Sequence, residues 1–414
     1  MMLRTGTAGK LLATTILALS AFAGAAQAEA VDEAAVVAHY AEIGAAGYAD
    51  SLTTAQALQA AVDAFLASPS AETQEAAKAA WIAARKPYLQ TEAFRFGNPV
   101  VDEWEGRVNA WPLDEGLIDY VDMGSAAVNE ENDYALLNVI ANPSVTIGGT
   151  KVDATAITPD LIAGTLHEAE GIEANVASGY HAVEFLLWGQ DLTGTEAGAG
   201  ARSYTDYLQG EGCTGGNCDR RAAYLKAVTD LLVTDLAEMA DAWKEGGAAR
   251  EIAVNEGGVK AILTGLGSLS YGELAGERIK LGLMLHDPEE EQDCFSDMTH
   301  LSHYYDGLGI QNVYTGRYTR VDGTVLEGPS VSDLVAERAP EAMADPRQRE
   351  RLARLALCSD FAVDTLCRQP ALAMSLDAPM APPPELAPGA DADWGGQLRR
   401  WRTAESTRLV GRDL

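Results

Sequence analysis

The chain has 414 residues, room for two or three domains at roughly 100–200 residues each, and its 47% hydrophobic content is that of an ordinary globular core. Thirty Lys and Arg stand against 61 Asp and Glu, for a formal net charge of -31. Such a surface repels phosphate backbones and anionic membranes, which excludes nucleic-acid binding and basic membrane attachment, and it draws cations in.

Residues 1–28 read as a signal peptide. Arg4 and Lys10 form a positive start, Leu11 to Phe22 an apolar stretch, and Ala26-Gln27-Ala28 a small-residue cleavage box. The expected mature chain begins near Glu29 and is exported, into the periplasm if the cell has two membranes. No later stretch reaches the roughly 20 apolar residues of a membrane span.

Residues 29–212 read as an N-terminal helical half. Ser68 followed by Pro69 predicts a helix start, and Ala77, Trp81, Ala84 and Tyr88 recur on one helical face. Pro87 should kink that helix or split it before Glu92. Ser144 to Val152, with its Gly-Gly pair, predicts a small hairpin. Gly194 to Cys218 is rich in glycine and polar residues and reads as the connection between the halves.

The C-terminal half, residues 213–375, opens with Cys213-Thr-Gly-Gly-Asn-Cys218, a short loop that an exported protein would close as a disulfide. Cys358 and Cys367 form a second candidate pair, and Cys294 is left over. Helices are expected over Tyr224 to Trp243, with Leu225, Val228, Leu231, Leu232 and Leu236 inward, over Val259 to Leu285 and over Leu352 to Leu366. Val313 to Val325 reads as a second hairpin. Residues 376–414 read as a Pro-rich linker and tail, with Trp394, Trp401 and several arginines that either dock on the acidic body or fray. The pattern is all-α, built from long antiparallel helices with small hairpin insertions.

The segment most informative about chemistry is Gly179-Tyr-His-Ala-Val-Glu-Phe-Leu-Leu-Trp-Gly-Gln-Asp191. As a helix it has no wet face, so it is expected to be buried. His181 and Glu184 lie three apart, close enough to share a ligand. A buried carboxylate needs a partner or a metal, so the pair is either a transition-metal site or a hydrogen bond that merely satisfies the core. A mixed imidazole and carboxylate set suits iron, zinc or copper. Asp297, His300 and His303 offer a second metal face or else a polar stripe turned to water, and Glu289 to Asp293 reads as a solvated charge run lacking calcium-loop spacing. His167-Glu168 begins like a zinc-peptidase helix motif, but Gly171 stands where its second histidine belongs.

Beyond single residues, the sequence resembles the imelysin family of exported, insulin-cleaving-peptidase-like proteins with a G-x-H-x-x-E signature. The resemblance is carried by Trp81-Ile-Ala-Ala-Arg-Lys-Pro-Tyr-Leu-Gln-Thr-Glu-Ala-Phe-Arg-Phe-Gly97, Asn109-Ala-Trp-Pro-Leu-Asp-Glu115 and Gly179 to Asp191. It extends to Cys218-Asp-Arg-Arg, Gly276-Glu-Arg-Ile279 and Cys294-Phe-Ser-Asp297 with His300. It implies two helical bundles packed side by side with the site in a cleft between them. It implies the motif residues Gly179, His181 and Glu184, and Glu92 as the carboxylate completing a three-ligand metal set of His181, Glu184 and Glu92. It further implies a part in iron acquisition, with a metal ion or metal chelate as ligand and a transport or envelope protein as partner. The alternatives are a metallopeptidase of the imelysin type and a non-catalytic scaffold. A zinc peptidase needs a base apart from its three ligands, and none adjoins the signature.

Overall fold

The structure, a computed structural model, describes residues 30–122, 132–194, 197–285 and 290–340. The signal segment 1–28, the expected helix 352–366, the Cys358–Cys367 pair and the tail 376–414 lie outside the described residues.

Helix α1, Glu33–Ala67, is capped by Asp32, whose carboxylate accepts from the Ala34 amide at 3.0 Å. Its inward residues, among them Tyr40, Ile43, Leu58 and Phe65, are buried against two other helices. One of these is α2, Ala71–Leu89. It does not start at Ser68 and Pro69 as the sequence pattern implied. Ser68 closes α1, its amide donating to Ala64 and Phe65, and Ser70 caps α2 in a reciprocal pair with Thr73. The inward face is the expected one: Ala77, Trp81, Ala84 and Tyr88 are all buried. Pro87 sits in the last turn of α2, and the chain leaves the helix two residues later for a tight turn at Glu92–Phe94. Helix α3, Pro99–Asn109, then starts with proline at its first position.

A hairpin of β1, Ser144–Ile147, and β2, Thr150–Asp153, turns at the Gly-Gly pair. Helix α4, Gly179–Trp188, carries the signature. After it the Cys213–Cys218 disulfide is formed, with Cα atoms 5.9 Å apart, and α5, Cys218–Ala242, packs on α1 and α4. Leu225, Val228, Leu232 and Leu236 are its buried stripe, with Leu231 at the margin. The helix expected from Val259 is real but uneven. It runs as α6, Gly258–Gly267, then widens into i→i+5 turns over Ser268–Leu281. Helix α7, Thr299–Thr315, absorbs Val313, which the sequence had placed in a strand. The second hairpin is correspondingly shorter, β3, Arg317–Thr319, against β4, Val325–Glu327. Asp50 of α1 fastens it by accepting from the Tyr318 hydroxyl and the Val321 amide, both at 3.0 Å. A last short helix, α8, spans Val331–Arg338. The described chain is thus helical with two small hairpins, and among the described residues no helix is long and apolar enough to cross a membrane.

All ten residues of α4 are buried. Neighbouring elements satisfy the carbonyl groups near its end, which the helix itself leaves without partners. Gln74 of α2 donates to the Leu187 and Arg202 carbonyls at 3.0 and 2.9 Å, Tyr207 donates to Leu186 at 2.5 Å, and the Arg202 amide reaches Trp188 at 2.7 Å. At the other end the Trp81 indole donates to the Tyr180 carbonyl at 2.9 Å.

The glycine of the signature has a packing reason. Gly179 has φ +79°, and a Cβ there would stand 2.4 Å from the Val108 carbonyl oxygen at the end of α3. Replacing it with alanine combines left-handed strain with a backbone collision and should cost about 3 kcal/mol. Gly246 is left-handed too, but with nothing within 4 Å of its added Cβ. Gly246→Ala should therefore cost only about 1 kcal/mol. Urea unfolding of both variants checks this, and equal losses would show that the Val108 contact is unimportant.

Candidate metal centre

Helix α4 presents His181 and Glu184 to the segment that precedes α7. His181 Nδ1 lies 2.9 Å from Glu184 Oε2 and 3.6 Å from Asp293 Oδ1. Among the described residues these three form the group in which one donor atom from each of three such side chains lies within 4.8 Å of the others. All three side chains are wholly buried. The second oxygen of Glu184 accepts from Ser296 twice, from its amide at 2.9 Å and its hydroxyl at 2.7 Å. Asp293 accepts from the Ser302 hydroxyl and from Arg85 at 2.9 Å. Arg85 also donates to Asn109 at 2.6 Å, and its guanidinium lies 5.2–5.8 Å from the ring centres of Trp81, Tyr88 and Tyr180.

The charges in this dry region follow from that arrangement. Burial alone would raise Asp293, but the Arg85 cation beside it holds its carboxyl below the usual carboxylate range. Burial, reinforced by the charge of Asp293, pushes Glu184 well above that range. Burial, reinforced by Arg85, pushes His181 down to about 3, so its ring is neutral. Glu184 Oε2 and His181 Nδ1 share a hydrogen bond at 2.9 Å, while Oε1 accepts from Ser296. His181 Nε2 is buried and without a hydrogen-bond partner. The Nδ1 atom of this neutral ring faces both carboxyl groups.

That donor set fits a cation. Ligand atoms bound about 2.1 Å from one ion stand roughly 3–3.5 Å apart, and separations of 2.9 and 3.6 Å bracket that range. An ion would also supply the positive charge that ionised Glu184 lacks here.

Glu92, the third ligand expected from the resemblance, is not in this group. It is buried, but its Oε2 pairs with Arg278 at 2.7 Å. Arg278 also holds Asp306 at 2.8 Å and Glu273 at 3.0 Å. Asp293 stands in the third place instead. The sequence reading had it in a solvated charge run; the run does end there, but Gln292 and Asp293 are buried under α7 rather than exposed. Asp297, His300 and His303 do not gather into a comparable group. Asp297 accepts from the Gly198 amide at 3.0 Å, and His303 is pushed down to about 4 by burial and by Arg278. The signal that marked Asp293 was its place at the start of Asp293-Cys-Phe-Ser-Asp297, where a charge run meets buried residues.

A solved iron-regulated protein A precursor from Parabacteroides distasonis superposes with a TM-score of 0.51 at 19% identity, over 77% of this chain and 83% of that one. An imelysin-like protein from Psychrobacter arcticum gives a TM-score of 0.45 at 14% identity, over 85% of this chain and 100% of that one. A short stretch is 61% identical over 66 residues to the bifunctional glutamine synthetase adenylyltransferase/adenylyl-removing enzyme of Stenotrophomonas maltophilia (strain R551-3), which is 15% of this chain and 7% of that enzyme. The same enzyme of Xanthomonas oryzae pv. oryzae (strain MAFF 311018) is 57% identical over 67 residues, 16% of this chain and 7% of its own. The chain thus spans less than a tenth of these two curated relatives. The imelysin family model matches residues 44–357, well over half of the sequence, and on that match the chain belongs to the imelysin family.

Proposed function

We propose that this protein is an exported metal-binding member of its family, which captures a transition metal ion, iron foremost, at His181, Glu184 and Asp293 for metal acquisition in the periplasm. What carries the reading is the convergence of a neutral imidazole and two carboxyl groups in a wholly buried centre where one of the carboxyls cannot ionise alone. Two oxygens and one nitrogen favour the harder transition ions over copper(I)-type binding. Burial also weighs against peptide hydrolysis, because His181 and Glu184 leave no exposed face on which a polypeptide bond could lie. No further carboxylate in the group is free to act as a base. The solved relative named as iron-regulated is in keeping with iron as cargo.

The test is a titration of ferrous, ferric, zinc and copper ions into wild type and variants, with thermal melts alongside. His181→Ala and Asp293→Asn should each weaken binding at least 10–100-fold, the range typical of losing even outer-shell support. They should also lose the rise in melting temperature that a bound ion gives the native state. Glu92→Gln should leave ion affinity unchanged, since Glu92 is committed to Arg278. Loss of affinity in Glu92→Gln but not in Asp293→Asn would restore the ligand set of the sequence reading, and equal, negligible binding by all four proteins would reject a metal centre.

Export is checked separately. N-terminal sequencing of protein from a periplasmic extract should give a mature start at Glu29 or within a residue or two of it. A retained Met1 in that fraction would refute the cleavable signal.

A further inference from the structure

Beside the buried centre, and separated from it by Arg85 and Asn109, lies an open cleft of about 360 Å³. Its walls include Glu105, Asn109, Trp111, Glu277 and Gln292, with Arg95 and Arg278 among them. The carboxylates here outnumber the cations. Glu92, Glu105, Glu273 and Asp306 all draw on two guanidinium groups, Arg95 and Arg278, with Asp102 drawing on Arg95 as well. Exposed Glu277 adds to the excess. Gln292 supplies an independent observation. It is only 3% exposed, it lines the cleft, and its Oε1 accepts no hydrogen bond from the protein. A buried acceptor without a donor is costly, so one in a cleft wall points to a donor brought from outside.

We propose that this cleft binds a small organic cation, an ammonium or guanidinium group on a short aliphatic stem, whose head donates to Gln292 Oε1 under the field of the wall carboxylates and whose stem lies against Trp111. The indole and the size of the cleft decide for an organic ligand over a simple ion. Pockets of about 300–1,000 Å³ suit small molecules, and an aromatic face attracts organic cations directly. Arg85, which bonds Asn109 of the cleft wall and Asp293 of the buried centre, opposes passage of a metal ion from one to the other. The inference does not depend on the metal reading.

The test is isothermal titration of agmatine, a guanidinium and an amine on a four-carbon stem, into the full chain in metal-depleted buffer. Saturable one-site binding is expected. Gln292→Leu should weaken it about tenfold, as for loss of a hydrogen bond to a charged donor, and Trp111→Ala several-fold. Gln292→Glu should tighten it, a gain that a merely structural glutamine would not give. Adipate, of similar length and opposite charge, should produce no binding. Agmatine that fails to saturate, affinity that ignores both Gln292→Leu and Trp111→Ala, or saturation by calcium or magnesium with none by agmatine would overturn the proposal.

Discussion

The guanidinium of Arg85, almost without contact with water, donates to Asp293 at 2.9 Å and to Asn109 at 2.6 Å, and so ties α2 both to the end of α3 and to the segment leading into α7. A buried ion pair stabilises little on its own account, because desolvating two charges offsets most of their attraction; removing one partner, however, typically costs about 3–5 kcal/mol. Here the cation is sheltered by three aromatic rings and the anion by a hydroxyl from Ser302. The pair therefore acts chiefly as a fixed point. With Asp293 held by Arg85, its carboxyl faces His181, and the α4 motif helix has something to converge upon.

The same pair sets the protonation of everything around it. One cation beside two carboxyl groups lets one of them ionise, and the geometry assigns that role to Asp293. Glu184 is pushed the other way, well above the usual carboxylate range; one of its oxygens accepts from Ser296 and the other shares a hydrogen bond with His181. In the adjoining cluster the arithmetic repeats with Arg278, which serves Glu92, Glu273 and Asp306 together. Burial, with Glu92 beside it, pushes Glu105 up to about 7. Two regions short of positive charge lie on either side of Asn109, one sealed and one open.

Much of this was legible in the sequence, and the missing part has one cause. The apolar period marked α2, α5 and the buried motif helix, the Gly-Gly pair marked the first hairpin, and the spacing of Cys213 and Cys218 marked the disulfide; all are local signals read within one or two turns of chain. The helix start at Ser70 was missed because Ser68-Pro69 is an equally good local start, and only the reciprocal bonds between Ser70 and Thr73 decide between them. Asp293 was missed because its partners are 112 residues away along the chain, at His181, and 208 away, at Arg85. The residues that precede it in sequence are acidic and polar, so the composition on that side argues for water. Glu92 stands apart from the group for the complementary reason: it is as buried as a ligand would be, but it pairs with Arg278, which no local pattern connects to it.

The standing charge of the sealed centre bears on which ion it would prefer. Once Glu184 ionises on binding, Asp293 and Glu184 supply two negative charges and Arg85 returns one positive, so the ligand set contributes a single negative charge beside the ion. A divalent ion brings the centre to one positive charge and a trivalent ion to two, in a region where each uncompensated charge is expensive. Without Arg85 the same three ligands would be neutral around a divalent ion and would tolerate a trivalent one. The guanidinium that fixes Asp293 in place thereby also biases the proposed site towards the lower oxidation state, ferrous over ferric. The ligand types alone, two carboxylates and an imidazole, would have argued the other way.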